Sequence, residues 1–195
     1  LTRSQIKTIL KTLRDDGFVD GKKTAGFRAK QVKKNEQLDR KFEGKEEINT
    51  LIIDSLKKNA QFQKLAFPKK IQPPLISRYQ VGMEYGIHVD DALMGSGAKT
   101  RSDISVTIFL NNPDEYEGGA LEIESPFGPQ SIKLPAGCAV LYPSSTLHRV
   151  EPVTSGQRLV AVTWLQSYVR DPAHREVLYD LDRIRRKLHE NAPKS

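Results

Sequence analysis

Three residues have side chains that commonly bind metal ions: His88, Asp90 and, later in the chain, His148. In an extended strand, residues two positions apart point to the same side, so His88 and Asp90 can both reach one ion. Alone, this His-x-Asp triplet is equally consistent with a strand-end histidine that hydrogen-bonds to its neighbours. With His148 added, two imidazoles and one carboxylate make up the ligand set that holds non-haem Fe(II) and leaves coordination positions open.

A fourth residue, Arg158, lies ten positions after His148, at the start of the apolar run 159–164. An arginine that enters a core strand is costly unless it meets a carboxylate. Its planar fork suits a bidentate carboxylate partner, and a dicarboxylic co-substrate would be one. His, Asp, His and Arg in this order therefore predict a metal centre with an anion-binding residue beside it.

The elements that position these residues are predicted from Pro73 onward, where short runs rich in β-branched and aromatic residues are separated by Gly, Pro and Asn. Eight strands are predicted, at 75–80, 85–89, 105–110, 120–125, 131–134, 139–142, 149–153 and 158–167. Because no helical pattern lies between them, they favour an antiparallel sandwich or barrel over βαβ units. The fold class predicted is an all-β core with flanking helices.

Two helices are predicted before this core. The first opens with a capping box, Thr2 and Gln5, and continues with apolar residues on one face until Gly17, a natural stop. Residues 20–44 are polar and poorly periodic, so irregular structure with one short strand is expected there. The second helix begins at about Glu46, where apolar residues again recur at helical spacing.

A third helix is predicted after the core, from Pro172 to about His189. Its apolar residues share one face: Val177, Leu178, Leu181, Ile184 and Leu188. A length of 195 residues fits one domain. The division predicted is helical N-terminal support in 1–72, the β core in 73–169 and a C-terminal helix in 170–195.

Composition narrows the class of protein. The chain is 37% hydrophobic and 28% charged, as globular proteins are, and no apolar run reaches the roughly 18 residues of a membrane span. The single cysteine, Cys138, excludes an internal disulfide framework, so a reducing compartment, the cytoplasm by default, is predicted. The net charge of +7, concentrated at 22–34 and 183–187, could attract anions. A solvated surface is favoured over nucleic-acid binding, because aromatic residues do not interleave as in RNA-binding patterns.

The motifs resemble those of the iron(II)- and 2-oxoglutarate-dependent oxygenases, whose core is a double-stranded β-helix, a cupin-like jelly roll. Within that family they are most similar to the prolyl-hydroxylase-like branch and to the bacterial PKHD-type hydroxylases. The resemblance covers most of the chain and is weakest in residues 20–70. The runs that carry it are RY at 78–79, YGIHVD at 85–90, RSDISVTIFL at 101–110, EGGAL at 117–121, KLPAG at 133–137 and LYPSSTLH at 141–148.

The resemblance also implies roles for individual residues. It assigns Fe(II) to the three ligands above and the distal carboxylate of 2-oxoglutarate to Arg158, with O2 as the other co-substrate and ascorbate as reductant. Tyr79 and Thr107 would support the co-substrate. Where some prolyl hydroxylases carry a tyrosine, this sequence has Phe109, so that hydrogen bond must come from elsewhere or be absent.

The substrate that the resemblance favours is a prolyl residue of a peptide or protein. Tyr85, Arg101 and Trp164 are the candidate substrate residues, and the loop 91–100, which contains two glycines, is a candidate lid. Two alternatives stay open. One is a hydroxylase of a free amino acid or other small molecule; the other, from a different class, is a non-catalytic cupin-type metal-binding or sensor module. Arg158 distinguishes the oxygenase from the sensor module, because such a sensor does not need a buried cation ten residues past a metal ligand.

Overall fold

The computed structural model describes residues 1–24, 29–95, 97 and 99–191. The helices within these ranges are α1 (Arg3–Thr12), α2 (Ala29–Val32), α3 (Lys45–Lys58), α4 (Ala60–Ala66) and α5 (Pro172–Glu190). The strands are β1 (Phe18–Asp20), β2 (Lys33–Lys34), β3 (Glu36–Leu38), β4 (Pro68–Ile71), β5 (Leu75–Tyr79), β6 (Glu84–His88), β7 (Leu93–Met94), β8 (Thr100–Arg101), β9 (Ile104–Phe109), β10 (Tyr116–Gly118), β11 (Leu121–Ile123), β12 (Gln130–Ile132), β13 (Ala139–Pro143), β14 (His148–Val150), β15 (Val153–Gly156) and β16 (Arg158–Ser167).

Two antiparallel sheets form the core of the molecule. The larger sheet has the strand order β1-β3-β5-β16-β9-β13, and β4 also pairs with β16. The smaller sheet has the order β12-β11-β14-β6-β2. Separate two-stranded pairings join β7 to β8 and β10 to β15. The predicted all-β core with flanking helices is confirmed.

Side chains along β16 alternate between two hydrophobic cores, as the period of a strand requires. Leu159 and Ala161 pack with the helices α1, α3 and α4 on the outer face of the larger sheet. Val160, with Phe109 of β9, packs between the two sheets. Arg158 lies two positions before Val160, so the alternation directs its side chain into the space between the sheets.

The first helix begins as predicted but ends earlier. The Thr2 side chain accepts from the Gln5 backbone, and the Gln5 side chain accepts from the Thr2 backbone, which completes the capping box. The helix ends at Thr12 rather than at Gly17, because Leu13 turns extended and packs against the outer core. Gly17 instead lets the Phe42 ring approach: a Cβ on this glycine would lie 2.4 Å from Phe42 Cδ2.

The second predicted helix is divided in two at Asn59. Its backbone is extended, and its side chain accepts a hydrogen bond of 2.8 Å from the Phe62 amide, which caps α4. Strands also occur where helical support or irregular structure was expected. β1 to β3 lie within 20–44 or just before it, and β4 precedes Pro73. They add strands to both sheets, so the N-terminal region contributes to the β core.

The C-terminal helix α5 was predicted closely, since it runs from Pro172 to Glu190. Its apolar residues are exposed on the side away from the body: Val177, Leu178, Leu181, Ile184 and Leu188. Its polar face, which includes Tyr179 and Arg186, adjoins α4. Among the described residues, no helix combines the length and the apolar character that crossing a membrane requires.

Candidate active site

The three predicted metal ligands meet at the smaller sheet. His148 of β14 lies opposite His88 of β6 in the antiparallel register, with the two ring centroids 4.2 Å apart. Asp90 follows the end of β6, and its carboxylate lies 3.8 Å from His148 Nε2. One ligand atom from each of the three residues can be chosen such that all lie within 4.8 Å of one another. The spacing suits a single ion bound by two imidazoles and one carboxylate.

Hydrogen bonds to the backbone fix the orientation of both imidazoles. His88 Nδ1 lies 2.8 Å from the Gly86 carbonyl oxygen, and His148 Nδ1 lies 2.9 Å from that of Thr146. A carbonyl oxygen only accepts, so Nδ1 carries the proton in each ring and Nε2 keeps its lone pair for a metal. Burial, and then the charge of His148, lower the pKa of His88 to about 4. His88 is therefore neutral near pH 7, which is the form that binds metal.

The carboxylate of Asp90 is held by two serines that the sequence did not single out. Ser105 Oγ lies 2.5 Å from Asp90 Oδ2 and 2.8 Å from Ser144 Oγ. A hydroxyl has one proton, so Ser105 donates to the carboxylate and accepts from Ser144. The Asp90 amide also donates to the Ser144 carbonyl oxygen at 3.2 Å. Ser105 could have been found from its inward position in the strand alternation of β9.

Arg158 is the most enclosed charge of the pocket. Its side chain is 1% exposed, and within the described ranges no carboxylate pairs with it and its Nε has no hydrogen-bond partner. The guanidinium carbon lies 5.0 Å from the ring centroid of Tyr79 and 5.7 Å from that of Phe109. Aromatic faces compensate only part of the desolvation of a buried cation. The arrangement therefore fits a carboxylate ligand that the described residues do not provide.

Two tyrosines, Tyr79 and Tyr142, lie near both Arg158 and the predicted metal ligands. Burial raises the pKa of Tyr79 and of Tyr142, and the charges of both Arg158 and Asp90 act on each of them. Both phenols therefore keep their proton. Thr107 on β9, the neighbouring strand, acts against the rise in the pKa of Tyr142. Thr107 thus faces inward as predicted, whereas Tyr142 was missed, although the alternation of β13 directs it to the same face.

Comparison with known proteins identifies the family of this site. Residues 74–166, which contain all four predicted metal and arginine positions, match the 2OG-Fe(II) oxygenase superfamily. The whole chain is 48% identical to a PKHD-type hydroxylase of Synechococcus elongatus, of which it covers 88%. The chain belongs to the 2OG-Fe(II) oxygenase superfamily. The predicted resemblance to PKHD-type hydroxylases is thereby confirmed.

Solved structures with a similar fold include a prolyl-4-hydroxylase of Pseudomonas putida, with a TM-score of 0.59 and 17% identity over 87% of this chain and 89% of that one. A carbocyclase from nogalamycin biosynthesis, SnoK, has a TM-score of 0.60 and 14% identity over 88% of this chain and 79% of that one. At these identities the likeness concerns the fold alone. It confirms the double-stranded β-helix, and it leaves the substrate of this oxygenase to be argued from its own side chains.

A tight glycine turn shapes the arginine end of the oxygenase pocket. Gly118 and Gly119 have φ angles of +65° and +61°, which side chains disfavour. A Cβ on Gly119 would lie 2.9 Å from Val153 Cγ2 and 3.2 Å from Arg158 Cδ. The turn that the sequence predicted thus also leaves room for the stem of Arg158. The buried hydroxyl of Tyr116, close by, has no partner among the described residues.

The candidate substrate residues lie in two different environments. Tyr85 stacks on His88 with ring centroids 3.6 Å apart and 17° between the planes. Trp164 lies opposite Ser105 in the register of β16 and β9, and its buried Nε1 has no partner among the described residues. Both therefore adjoin the metal ligands. Arg101, by contrast, is held by Asp103, at 3.0 Å, and by the Ser167 carbonyl oxygen, at 3.3 Å.

A buried lysine beside Tyr85 was not predicted. Lys33 of β2 lies opposite Tyr85 of β6, is 6% exposed, and places its ammonium 5.3 Å from the Tyr85 ring centroid. Burial lowers the pKa of Lys33 to about 8, although Asp90 and Asp20 act against that shift. Sequence reasoning missed Lys33 because it counted this residue among the basic surface residues of 22–34.

The predicted lid is a short hairpin beside Asp90. β7 and β8 pair within it, with Leu93 opposite Arg101 and Met94 opposite Thr100. Ser96 and Ala98 of this loop lie outside the described residues, as does Arg28 of the basic stretch. The role of the loop as a lid stays a prediction.

Proposed function

We propose that this oxygenase hydroxylates a C–H bond, with Fe(II) bound by His88, Asp90 and His148 and with 2-oxoglutarate bound through its distal carboxylate by Arg158. One observation carries the proposal: a buried arginine that has no carboxylate partner among the described residues adjoins the same inter-sheet core as a preformed His, Asp, His cluster. A cupin-type sensor module would need the cluster but not the arginine.

The metal and its co-substrates supply the oxidising chemistry, and the protein supplies orientation and electrostatics. Arg158 offers a planar fork that suits a bidentate carboxylate. Tyr79 and Tyr142 both keep their proton, and both lie near Arg158 and Asp90, so they would donate hydrogen bonds to the oxygens of the co-substrate. The apolar surface of Val160 and Phe109 keeps water away from the carboxylate and so strengthens these contacts.

Tyr142 takes the role that Phe109 cannot perform. The phenol present at that position in some prolyl hydroxylases is absent here, and Phe109 contributes only an aromatic face to Arg158. Tyr142, one strand further along the larger sheet, reaches the same space and is linked to Thr107. The hydroxyl is thus supplied by a neighbouring strand rather than lost.

The substrate that we infer is a prolyl residue of a peptide or protein. The membership among PKHD-type hydroxylases supports this inference, together with the fold shared with a prolyl-4-hydroxylase. The Nε1 of Trp164, which has no partner within the described part of the chain, adjoins the predicted metal ligands and offers a donor to a main-chain carbonyl of such a segment. A free amino acid or other small molecule is the second candidate, and the equally similar fold of the SnoK carbocyclase favours keeping it.

Release of succinate tests the reaction class. The protein is incubated in air with Fe(II), 2-oxoglutarate and ascorbate as reductant. It is expected to form succinate at a low rate without any added substrate. The Arg158→Met variant is expected to lose most of this succinate formation. Iron binding with no succinate formed under any substrate condition would instead identify a metal-binding module.

Mass spectrometry tests the substrate. Proline-containing peptides and free amino acids are incubated separately under these conditions, with His148→Ala as the inactive control. A gain of one oxygen atom confined to proline within peptides is expected. Gain of oxygen only in a free amino acid or other small molecule, with the peptide panel unchanged, would favour the second candidate.

We place the reaction in the cytoplasm, in keeping with the single cysteine, Cys138.

A further inference from the structure

A row of three side chains crosses the larger sheet at the arginine end of the pocket. Tyr79 of β5 and Arg158 of β16 are direct partners in the antiparallel register. On the other side of β5, Gln37 is the partner of Ser77, and the same register places Asn35 opposite Tyr79. Partners in a sheet present their side chains to one face, as the 3.3 Å hydrogen bond from Gln37 Nε2 to Ser77 Oγ illustrates. Asn35 therefore lines the pocket next to Tyr79.

The carboxamide of Asn35 is buried without satisfied hydrogen bonds. The residue is 4% exposed, and neither Nδ2 nor Oδ1 has a partner among the described residues. Its Oδ1 points towards Gly21, where an added Cβ would lie only 2.0 Å away, so Nδ2 is the atom left to face the pocket. A buried carboxamide in this condition destabilises the fold unless the working protein supplies partners.

The side chain next to Asn35 in this row is Tyr79, whose hydroxyl can accept a hydrogen bond. Burial raises the pKa of Tyr79, and first the charge of Arg158 and then the nearby Asn35 side chain act against that rise. Tyr79 therefore has Asn35 on one side and Arg158 on the other. A phenol has a single proton but can also accept, so the neighbour that donates to it decides where that proton points.

We propose that Asn35 is a positioning residue for the co-substrate: its Nδ2 donates to Tyr79 Oη and so turns the only proton of that hydroxyl towards the carboxylate bound by Arg158. The inference rests on the proposed function, because it assumes that 2-oxoglutarate is the ligand of Arg158. Asn35 needs no contact with the co-substrate itself. Its effect passes through Tyr79, and that dependence is what an experiment can detect.

The test is a double-mutant cycle on 2-oxoglutarate binding, measured by calorimetry on the full chain loaded with Mn(II) under nitrogen. Asn35→Leu, which keeps the branching and the number of side-chain heavy atoms, is expected to weaken binding about 3- to 10-fold, the range of one net hydrogen bond. Tyr79→Phe is expected to weaken it about tenfold. In the Tyr79→Phe background, Asn35→Leu is expected to change the dissociation constant by less than about twofold, since the path of its effect is gone.

Two controls separate positioning from general damage. Gln37→Leu alters the next buried polar residue of the same strand and face, and is expected to leave 2-oxoglutarate binding unchanged. The melting temperature of ligand-free Asn35→Leu is expected to equal or exceed that of the wild type, because without the co-substrate the described residues leave this buried amide unsatisfied. Should this variant fail to fold, Gly21→Ala displaces the carboxamide without changing its chemistry, and it must weaken binding in the same way.

Two results would overturn this inference while leaving the proposed function intact. One is wild-type affinity for 2-oxoglutarate in Asn35→Leu. The other is an equal loss of affinity on Asn35→Leu in the wild type and in Tyr79→Phe, which would mean that Asn35 acts independently of Tyr79. The wild-type titration keeps these results apart from a failure of the proposed function. If the Mn(II)-loaded wild type does not bind 2-oxoglutarate at all, the proposed function and this inference fall together.

Discussion

The metal end of the pocket, formed by His88, Asp90 and His148, differs from its arginine end in how far the protein satisfies its own polar groups. At the metal end, both Nδ1 atoms and the carboxylate have hydrogen-bond partners. At the arginine end, the described residues leave unpartnered the buried polar atoms Arg158 Nε, Tyr116 Oη and the Asn35 carboxamide.

The difference shows two ways to prepare a binding site. The imidazoles are oriented by carbonyls only two residues away along the chain, so their geometry is fixed before any metal arrives. The arginine end keeps a desolvated cation whose partners among the described residues are incomplete, so the ligand that we propose would complete the structure as well as bind to it. We expect mutations at the metal end to weaken metal binding. We expect mutations at the arginine end to weaken 2-oxoglutarate binding but to leave the free energy of unfolding of the ligand-free protein unchanged or to increase it.

The largest effect is expected from removing a metal ligand. His148→Ala should weaken Mn(II) or Fe(II) binding by far more than the roughly 10- to 100-fold typical of residues that only orient a ligand, because two ligands hold such an ion poorly. Ser105→Ala, which removes the donor to Asp90, should fall within that smaller range. Calorimetry under nitrogen measures both. His174→Ala on the exposed side of α5 is the control, and wild-type affinity in His148→Ala would disprove the ligand assignment.

The second effect tests the opposite signs at the arginine end. Arg158→Met should weaken 2-oxoglutarate binding by roughly 2–5 kcal/mol, the typical loss for one partner of a buried charge pair. The free energy of unfolding without ligand should stay equal or rise, because a buried cation without a carboxylate partner is removed. Titration calorimetry and urea denaturation measure the two quantities. A ligand-free variant destabilised by several kcal/mol would show that Arg158 already has a partner in the protein.

A third prediction concerns Lys33, whose pKa is lowered from 10.5 to about 8 by burial. Near pH 7 the buried Lys33 ammonium lowers the free energy of unfolding. Between pH 8 and 10.5 Lys33 loses its proton in the folded protein but keeps it in the unfolded chain. The free energy of unfolding therefore rises with pH across that window. Metal-free Lys33→Met should exceed the wild type by up to about 3 kcal/mol at pH 7, and the difference should shrink towards pH 10 in urea denaturation. A difference between the two proteins that stays constant with pH would contradict the lowered pKa of Lys33.

The smallest effect separates backbone strain from contact with Arg158. Gly119→Ala and Gly128→Ala both place a side chain at positive φ, +61° and +95°, which costs about 1–2 kcal/mol. Only at Gly119 does the new Cβ meet neighbours, including Arg158 Cδ at 3.2 Å, since nothing lies within 4 Å at Gly128. Gly119→Ala should therefore also weaken 2-oxoglutarate binding, by a few-fold, whereas Gly128→Ala should leave it unchanged. If both variants bound 2-oxoglutarate equally well, the contact between the Gly119 turn and Arg158 would have no effect on binding.

The parts of the fold that were predicted correctly have a local cause. Strand alternation placed β5, β9, β13 and β16 within a residue or two of their observed ends, and the capping box of Thr2 and Gln5 placed the start of α1. The errors occur where tertiary packing outweighs local preference. α1 ends before Gly17 because Leu13 is drawn into the core, and β1 to β4 form because the edges of the two sheets offer them partners.

The sequence by itself was sufficient to predict the cluster at the metal end. His88 ends β6 and Asp90 lies only two residues further on, and the hydrogen bonds that orient His88 and His148 also span only two residues, so the residue types and their spacing were enough. Only the tertiary structure decided the arginine end. Asn35, Tyr79 and Arg158 are far apart in the chain and become neighbours through the register of three strands. Register depends on the pairing of whole sheets rather than on any local pattern, and for that reason Asn35 became visible only in the fold.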